Sequence, residues 1–257
     1  MLRGIENTQA ARRLAAAAAE KANAPPLLYT TLMLYAYDPT NPRDHMLFAA
    51  AALGVAGALR ASEFLSAEPG RQLTMGQFAF YADAGASMRM QPADEAASDA
   101  GPVLCILTLR ITKTNQHGDT TKVISAPQAV RALWRWCSFI GRSAGDPVFV
   151  SPIGKTLTAS MLTGDLNRRH AAAGLGRIRY TGKSFRRGGA STLAVHGVAA
   201  EDIAAIGWAP GSDMWRLYAD DPAVRMARAV AANSQMDAGA AAAIPAGKYW
   251  AHRRQQA

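Results

Sequence analysis

The chain has 257 residues but only two cysteines, Cys105 and Cys137. That is too few for a disulfide framework or a Cys-rich zinc site. Both lie in apolar surroundings, Val-Leu-Cys-Ile-Leu and Trp-Arg-Trp-Cys-Ser-Phe, and read as buried core thiols of a reducing compartment. The five histidines are scattered without ligand spacing, so no metal or other cofactor is expected. There is no glycine-rich phosphate loop. The longest apolar run, Met46 to Leu59, has 14 residues, short for a membrane span and suited to a buried helix. The first residues, Met-Leu-Arg-Gly-Ile-Glu-Asn, carry no apolar signal core. The expectation is therefore an intracellular protein without a membrane partner, nuclear if the host is eukaryotic.

Acidic residues are also scarce. Lys and Arg total 28 against 19 Asp and Glu, a net charge of +9. The imbalance is local. Residues 1–100 hold 8 basic and 10 acidic residues, whereas residues 101–257 hold 20 and 9. A basic surplus of that size points to a polyanionic partner. Alanine is abundant at 55 residues, and charged residues make up 18%, which fits a packed domain and not a disordered chain.

The sequence pattern predicts a mainly α fold with a small antiparallel three-stranded sheet, an α+β architecture. Thr8 to Ala22 is helical on propensity and stops at Pro25-Pro26. Leu27 to Tyr37 is apolar and read as helical. Asp38 to Pro42 is a loop, and His45 to Leu65 is one central helix. Leu73 to Tyr81 has β character. Ala82 to Gly101 reads as an exposed loop. Val103 to Lys113 and Thr120 to Ser125 form a hairpin about His117-Gly118-Asp119. Helices are then expected over Ala129–Ile140, Leu157–Ala173, Gly182–His196, Ala199–Ile206 and Ser212–Asn233, with glycines near their ends. Residues 1–40 read as a helical lead-in, 41–236 as one main domain and 237–257 as a mobile or partner-docking tail. Among the histidines, His196 reads as a helix-end or core residue and His170 as a surface one.

Isolated basic residues stand in apolar or turn contexts: Arg60 in Leu-Arg-Ala-Ser-Glu, Lys113 at a strand end, and Lys183 and Arg186 opening a helix in Gly-Lys-Ser-Phe-Arg-Arg-Gly-Gly. Trp208 and Tyr218 follow. Such a set suits a phosphodiester, because arginine forks grip two phosphate oxygens and keep their charge. A tyrosine beside them can act as a nucleophile without a metal. Each residue also has an ordinary explanation. Arg60 could complement a helix dipole or pair with Glu63. Lys113 could be a solvated strand end, with Lys122 across the hairpin as its rival. Trp208 could be core, and Tyr218 structural.

The order and context of these segments resemble the tyrosine recombinases, DNA strand-exchange enzymes of the phage-integrase kind. The phrases Leu59-Arg60-Ala61-Ser62-Glu63, Ile111-Thr112-Lys113-Thr114-Asn115-Gln116 and Ser184-Phe185-Arg186-Arg187-Gly188-Gly189 are most similar to recombinases of Crypton and DIRS mobile elements. The resemblance runs from about Leu2 to Asn233. Tyr218 lies ten residues after Trp208 and thirty-two after Arg186, in keeping with that family.

The resemblance implies the integrase catalytic-domain fold. It also implies site-specific DNA cleavage and rejoining through a covalent 3′-phosphotyrosyl intermediate. Arg60 and Arg186 would clamp the scissile phosphate and Glu63 would buttress Arg60. Lys113 would protonate the leaving 5′ oxygen, Trp208 would donate its indole N–H, and Tyr218 would attack. Lys183 stands where the family usually has His, and lysine is a poorer base at neutral pH. Lys122, Arg168, Arg169, Arg177, Arg179, Ser184 and Arg187 are the expected DNA contacts. The implied partners are double-stranded DNA and further copies of the chain, four on DNA and one alone. Two other functions remain open: a domesticated DNA-binding relic with little or no activity, and a type IB topoisomerase-like activity, which the absence of large clamp domains disfavours.

Overall fold

The computed structural model describes residues 25–38, 40–68, 70–91, 101–110, 119–176 and 178–207. The expected elements over Thr8–Ala22 and Ser212–Asn233, the hairpin turn and the tail lie outside them. Helix α1 is Tyr29–Met33, α2 is Pro42–Ala56 and α3 is Ala61–Phe64. A 3-10 turn at Met75–Gln77 leads into strand β1, Phe78–Tyr81, followed by β2, Arg89–Met90. Strands β3, Leu104–Leu109, and β4, Thr120–Ile124, complete the sheet. Four helices close the described chain: α4 at Pro127–Ile140, α5 at Ala159–Ala172, α6 at Ser184–Val195 and α7 at Ala200–Gly207.

The central helix α2 starts where the sequence demands it. The Asn41 side chain accepts from the Arg43 amide at 3.0 Å, Pro42 takes the first turn and Asp44 faces the helix N-terminus. Its alanines, Ala49 to Ala52, are all buried, because neighbours pack on several sides of it. Gly54 makes room for two rings. A Cβ there would sit 2.6 Å from the Phe64 ring and 3.0 Å from that of Phe185. Those rings meet edge to face, 5.5 Å apart, and tie α3 and α6 to α2.

The helix expected over His45–Leu65 is broken. It stops at Ala56, and Ala58 takes φ +47°, the left-handed region that side chains avoid. Pattern reading missed the stop because an alanine, not a glycine, carries the turn. The break makes Arg60 the N-cap of α3 instead of the end of α2. The expected helix over Leu27–Tyr37 shrinks to five residues, following Pro25-Pro26.

The sheet has four antiparallel strands in the order β2-β1-β3-β4, not three. The extra strand pairs Met90 with Phe80 and Arg89 with Tyr81. Two residues are too few to show alternation, so this strand was hidden in a stretch read as loop. Helix α4 buries Val130, Leu133, Trp134, Trp136 and Cys137. It ends at Gly141 with φ +52°. The Trp136 indole donates to the Val148 carbonyl at 2.8 Å.

His170 is buried, not a surface residue. Its Nε2 lies 3.1 Å from the Leu175 carbonyl, and so donates there, which leaves Nδ1 as an acceptor 2.8 Å from the Tyr35 hydroxyl. The Tyr180 hydroxyl lies 3.1 Å from that of Tyr35 and completes the buried cluster. The cluster pins the segment before α2 to α5 and to the loop that leads into α6. Both cysteines are buried, as expected from their neighbours.

Candidate active site

Glu63 joins two segments far apart in sequence. One of its carboxylate oxygens accepts from the Arg60 amide at 2.8 Å and the other from Arg60 Nη1 at 3.1 Å. Arg186 Nη2 donates to both oxygens at 2.9 Å. Arg186 Nε donates to the Ala58 carbonyl at 3.0 Å. The left-handed turn at Ala58 therefore aims a carbonyl at the second arginine. Arg186 and Glu63 are nearly fully enclosed, whereas the Arg60 side chain is about one-third exposed.

Helix α6 reaches this position because it has two consecutive glycines. A Cβ on Gly188 would fall 1.8 Å from the Leu27 carbonyl oxygen, and one on Gly189 would fall 2.3 Å from the Val55 carbonyl oxygen. Only bare backbone can approach α2 and the Leu27 segment so closely. A backbone hydrogen bond from Ala61 N to the Gly182 carbonyl, 3.3 Å, registers the two arginine segments.

Lys122 belongs to the same cluster. Strand β4 turns Thr121 and Val123 outward and Lys122 and Ile124 inward, with Lys122 opposite Leu107. The side chain is buried. Burial lowers its pKa, and the positive charges of Arg186 and Arg60 lower it further, against the opposing pull of Glu63. Three cations thus face one carboxylate, and the surplus positive charge suits an anionic ligand. Lys122 also lines an open cleft of about 870 Å³, together with Gly57, Gly189, Thr192 and His196.

Lys183 is exposed and directly precedes α6. Arg179 is exposed, Arg187 is partly buried, and Arg168 is largely exposed with a 3.0 Å contact to Asp165. Two expected DNA contacts have internal roles instead. Ser184 is fully buried; its hydroxyl accepts from the Thr181 amide at 3.0 Å. Arg169 pairs with Asp165 and Asp44, both at 2.6 Å, donates to the Ala36 carbonyl and lies over the Tyr37 ring. Burial opposes its charge, but the two carboxylates outweigh that and raise its pKa. In both cases a buried partner claims the polar group, which a single sequence does not reveal. Lys113, Arg177, Trp208 and Tyr218 lie outside the described residues. His196 caps the C-terminal end of α6, one of the two places expected for it.

Among the described residues, no group of three or more His, Cys, Asp or Glu side chains is placed to hold a metal ion, and no helix is long and apolar enough to cross a membrane.

No protein-family model matches the chain, and no curated protein sequence does. Solved structures do. The XerH site-specific recombinase, bound to its difH substrate in a pre-cleavage complex, is similar with a TM-score of 0.52 and 16% identity. The match covers 75% of this chain and 49% of that one. The XerA recombinase has a TM-score of 0.47 at 16% identity, covering 79% of this chain and 64% of its own. The Tn1549 transposon integrase, in complex with circular intermediate DNA, has 0.46 at 16%, covering 75% and 61%. The chain thus spans about half the length of the XerH recombinase. The likeness to XerH is one of fold: this chain shares the architecture of the matched part of that protein.

Proposed function

We propose that the chain is a tyrosine recombinase catalytic domain that cuts and rejoins DNA at a specific site. The observation that carries this reading is the Glu63 bridge between Arg60 and Arg186, which gathers two guanidiniums at one place. A buried carboxylate holds them in fixed geometry, so they can grip a phosphodiester with little reorganisation. Tyr218 is the nucleophile. It forms a 3′-phosphotyrosyl bond that conserves the energy of the broken phosphodiester, so rejoining needs neither a nucleotide cofactor nor a metal. Trp208 donates its indole N–H to the phosphate, and Lys183 takes the position usually held by His. The motif phrases favour a mobile-element enzyme of the Crypton or DIRS kind.

Double-stranded DNA is the proposed partner. Phosphate contacts from Arg168, Arg177, Arg179 and Arg187 make its affinity fall steeply with salt. Four copies assemble on two duplexes, with residues 220–233 and the tail docking on a neighbour, and the free domain is a monomer. The setting is intracellular, and nuclear in a eukaryotic host. Residues 41–236 form the catalytic unit.

A nicked duplex carrying the element's terminal sequence tests the reading. The expected result is a covalent protein–DNA adduct that Tyr218→Phe abolishes. One observation favours a second reading. Lys183 replaces the usual His, which fits a DNA-binding relic with little activity. Salt-sensitive binding by the wild type without any adduct would select the relic.

A further inference from the structure

We propose that the cleft between strand β4 and helix α6 binds a small amphipathic anion, a molecule with one carboxylate and a hydrocarbon body, and that Lys122 receives the carboxylate. The cleft stands apart from the Arg60–Glu63–Arg186 bridge, because none of those three residues lines it. A ligand site there goes beyond the recombinase reading and does not depend on it.

Size and walls suit a small molecule. The volume is about 870 Å³, within the range of roughly 300–1,000 Å³ typical of ligand pockets. Val55 and Ala56 at the end of α2, Ala126 and Pro127 at the start of α4, and Leu193 of α6 give the cleft an apolar wall. A hydrocarbon chain laid against that wall leaves water favourably. A nucleic-acid backbone matches it poorly, because the backbone carries a charge at every unit.

Lys122 sets the charge of the occupant. It lines the cleft, yet only 9% of the residue is exposed. Lysine is rarely this buried unless it is paired. Among the described residues, Lys122 has no hydrogen-bond or ion-pair partner. Burial disfavours its ammonium, and so do the charges of Arg186 and Arg60. Glu63 pulls the other way but is committed to both arginines. A carboxylate arriving through the cleft would supply the missing counter-ion. One ammonium matches one negative charge, which a carboxylate carries and a phosphate monoester exceeds.

Polar groups on the α6 side are already engaged. The Thr192 hydroxyl accepts from the Tyr29 amide at 3.2 Å, and His196 Nδ1 donates to the Thr192 carbonyl at 2.9 Å. Lys122 is therefore the unspent cationic donor of the cleft, with up to three N–H groups for two carboxylate oxygens. The arrangement is that of a ligand pocket in which apolar walls hold the body and one charged group fixes its orientation.

Titration calorimetry of the full chain with octanoate, hexanoate and octanol separates the two parts of the site. Octanoate should bind saturably, one molecule per chain. Octanol, which keeps the body and lacks the charge, should bind at least about tenfold more weakly. Hexanoate should bind more weakly than octanoate by about fourfold for each methylene removed. Lys122→Met, which keeps the apolar stem, should bind octanoate no better than octanol, and a thermal melt checks that it folds. Octanol binding the wild type as tightly as octanoate would overturn the site, as would equal octanoate affinity in Lys122→Met. So would equal affinity for hexanoate and octanoate, which would mark a bare counter-ion. No saturable binding, the result expected if a second copy or another segment of the chain fills the cleft, would also overturn it. None of these measurements involves cleavage, so each of those results leaves the recombinase reading standing.

Discussion

Both carboxylate oxygens of Glu63 accept from one nitrogen of Arg186, each at 2.9 Å, across a sequence separation of 123 residues. Glu63 also holds Arg60 through its backbone amide and its guanidinium. Replacing this carboxylate removes the charge that two neighbouring arginines share, one of them buried. Glu63→Gln keeps the volume and one acceptor but removes the charge. Loss of one partner from a buried ion pair costs about 3–5 kcal/mol, and the retained acceptor should place this variant at the low end. Chemical denaturation should show the drop in stability, and salt-sensitive DNA affinity should fall with it.

Ala58 has φ +47° and its carbonyl receives Arg186 Nε. A left-handed alanine is strained by roughly 1–2 kcal/mol, which glycine does not incur. Glycine adds unfolded-state entropy that offsets part of this gain. Ala58→Gly should therefore raise the melting temperature slightly and retain cleavage. Ala58→Val should lower it, since a β-branched side chain tolerates this conformation least. Comparing the two melts tests whether the turn is under strain.

Gly188 permits the close approach of α6 to the Leu27 segment. A Cβ there would fall 1.8 Å from the Leu27 carbonyl oxygen, and backbone cannot swing aside as a side-chain tip can. Gly188→Ala should either fail to accumulate as folded protein or lose both stability and DNA cleavage. By contrast, a Cβ at Gly164 in α5 meets nothing within 4 Å, so Gly164→Ala should be tolerated and slightly stabilising. A side-by-side yield and melting comparison separates helix propensity from steric exclusion.

The depressed pKa of Lys122 carries a stability consequence. The native state binds this proton less readily than the unfolded chain does. Between the folded value and the ordinary lysine value the unfolded chain therefore holds more protons, and the Lys122 contribution to stability improves as pH rises. Lys122→Met lacks the penalty. It should be more stable than wild type near neutral pH, and its advantage should shrink as pH approaches 10.5. An advantage independent of pH would contradict this.

Burial raises the pKa of both thiols, that of Cys137 to about 12. Alkylation at pH 8 should leave Cys105 and Cys137 unlabelled in the native protein and label both in denaturant. Mass spectrometry of the labelled chain reads this directly.

Much of the frame is legible in the sequence, because it follows from periodicity and punctuation. The alanine-rich central helix, the β3–β4 hairpin, the amphipathic α4 and the helix opened by Ser184 all lie close to where patterning places them. What is not legible depends on partners distant in sequence. The turn at Ala58 replaces a continuous helix because Arg186 and the bare face of Gly189 meet it. Arg169 is drawn inward by Asp44 and Asp165, and His170 by Tyr35 and Tyr180. Lys122 is different. Its inward phase is present in Thr-Thr-Lys-Val-Ile, where Ile124 marks the core face, so strand alternation alone could have placed it on the buried face of the sheet.

The most direct test of the central claim is peptide mapping of a trapped adduct. The full chain is incubated with a nicked duplex bearing the element's terminal sequence. The DNA is then trimmed with nuclease and the protein digested for mass spectrometry. The expected result is a 3′-nucleotide on the peptide containing Tyr218, with none from Arg186→Ala protein. A nucleotide on another residue, or tight salt-sensitive binding with no modified peptide, would contradict the assignment of a covalent recombinase.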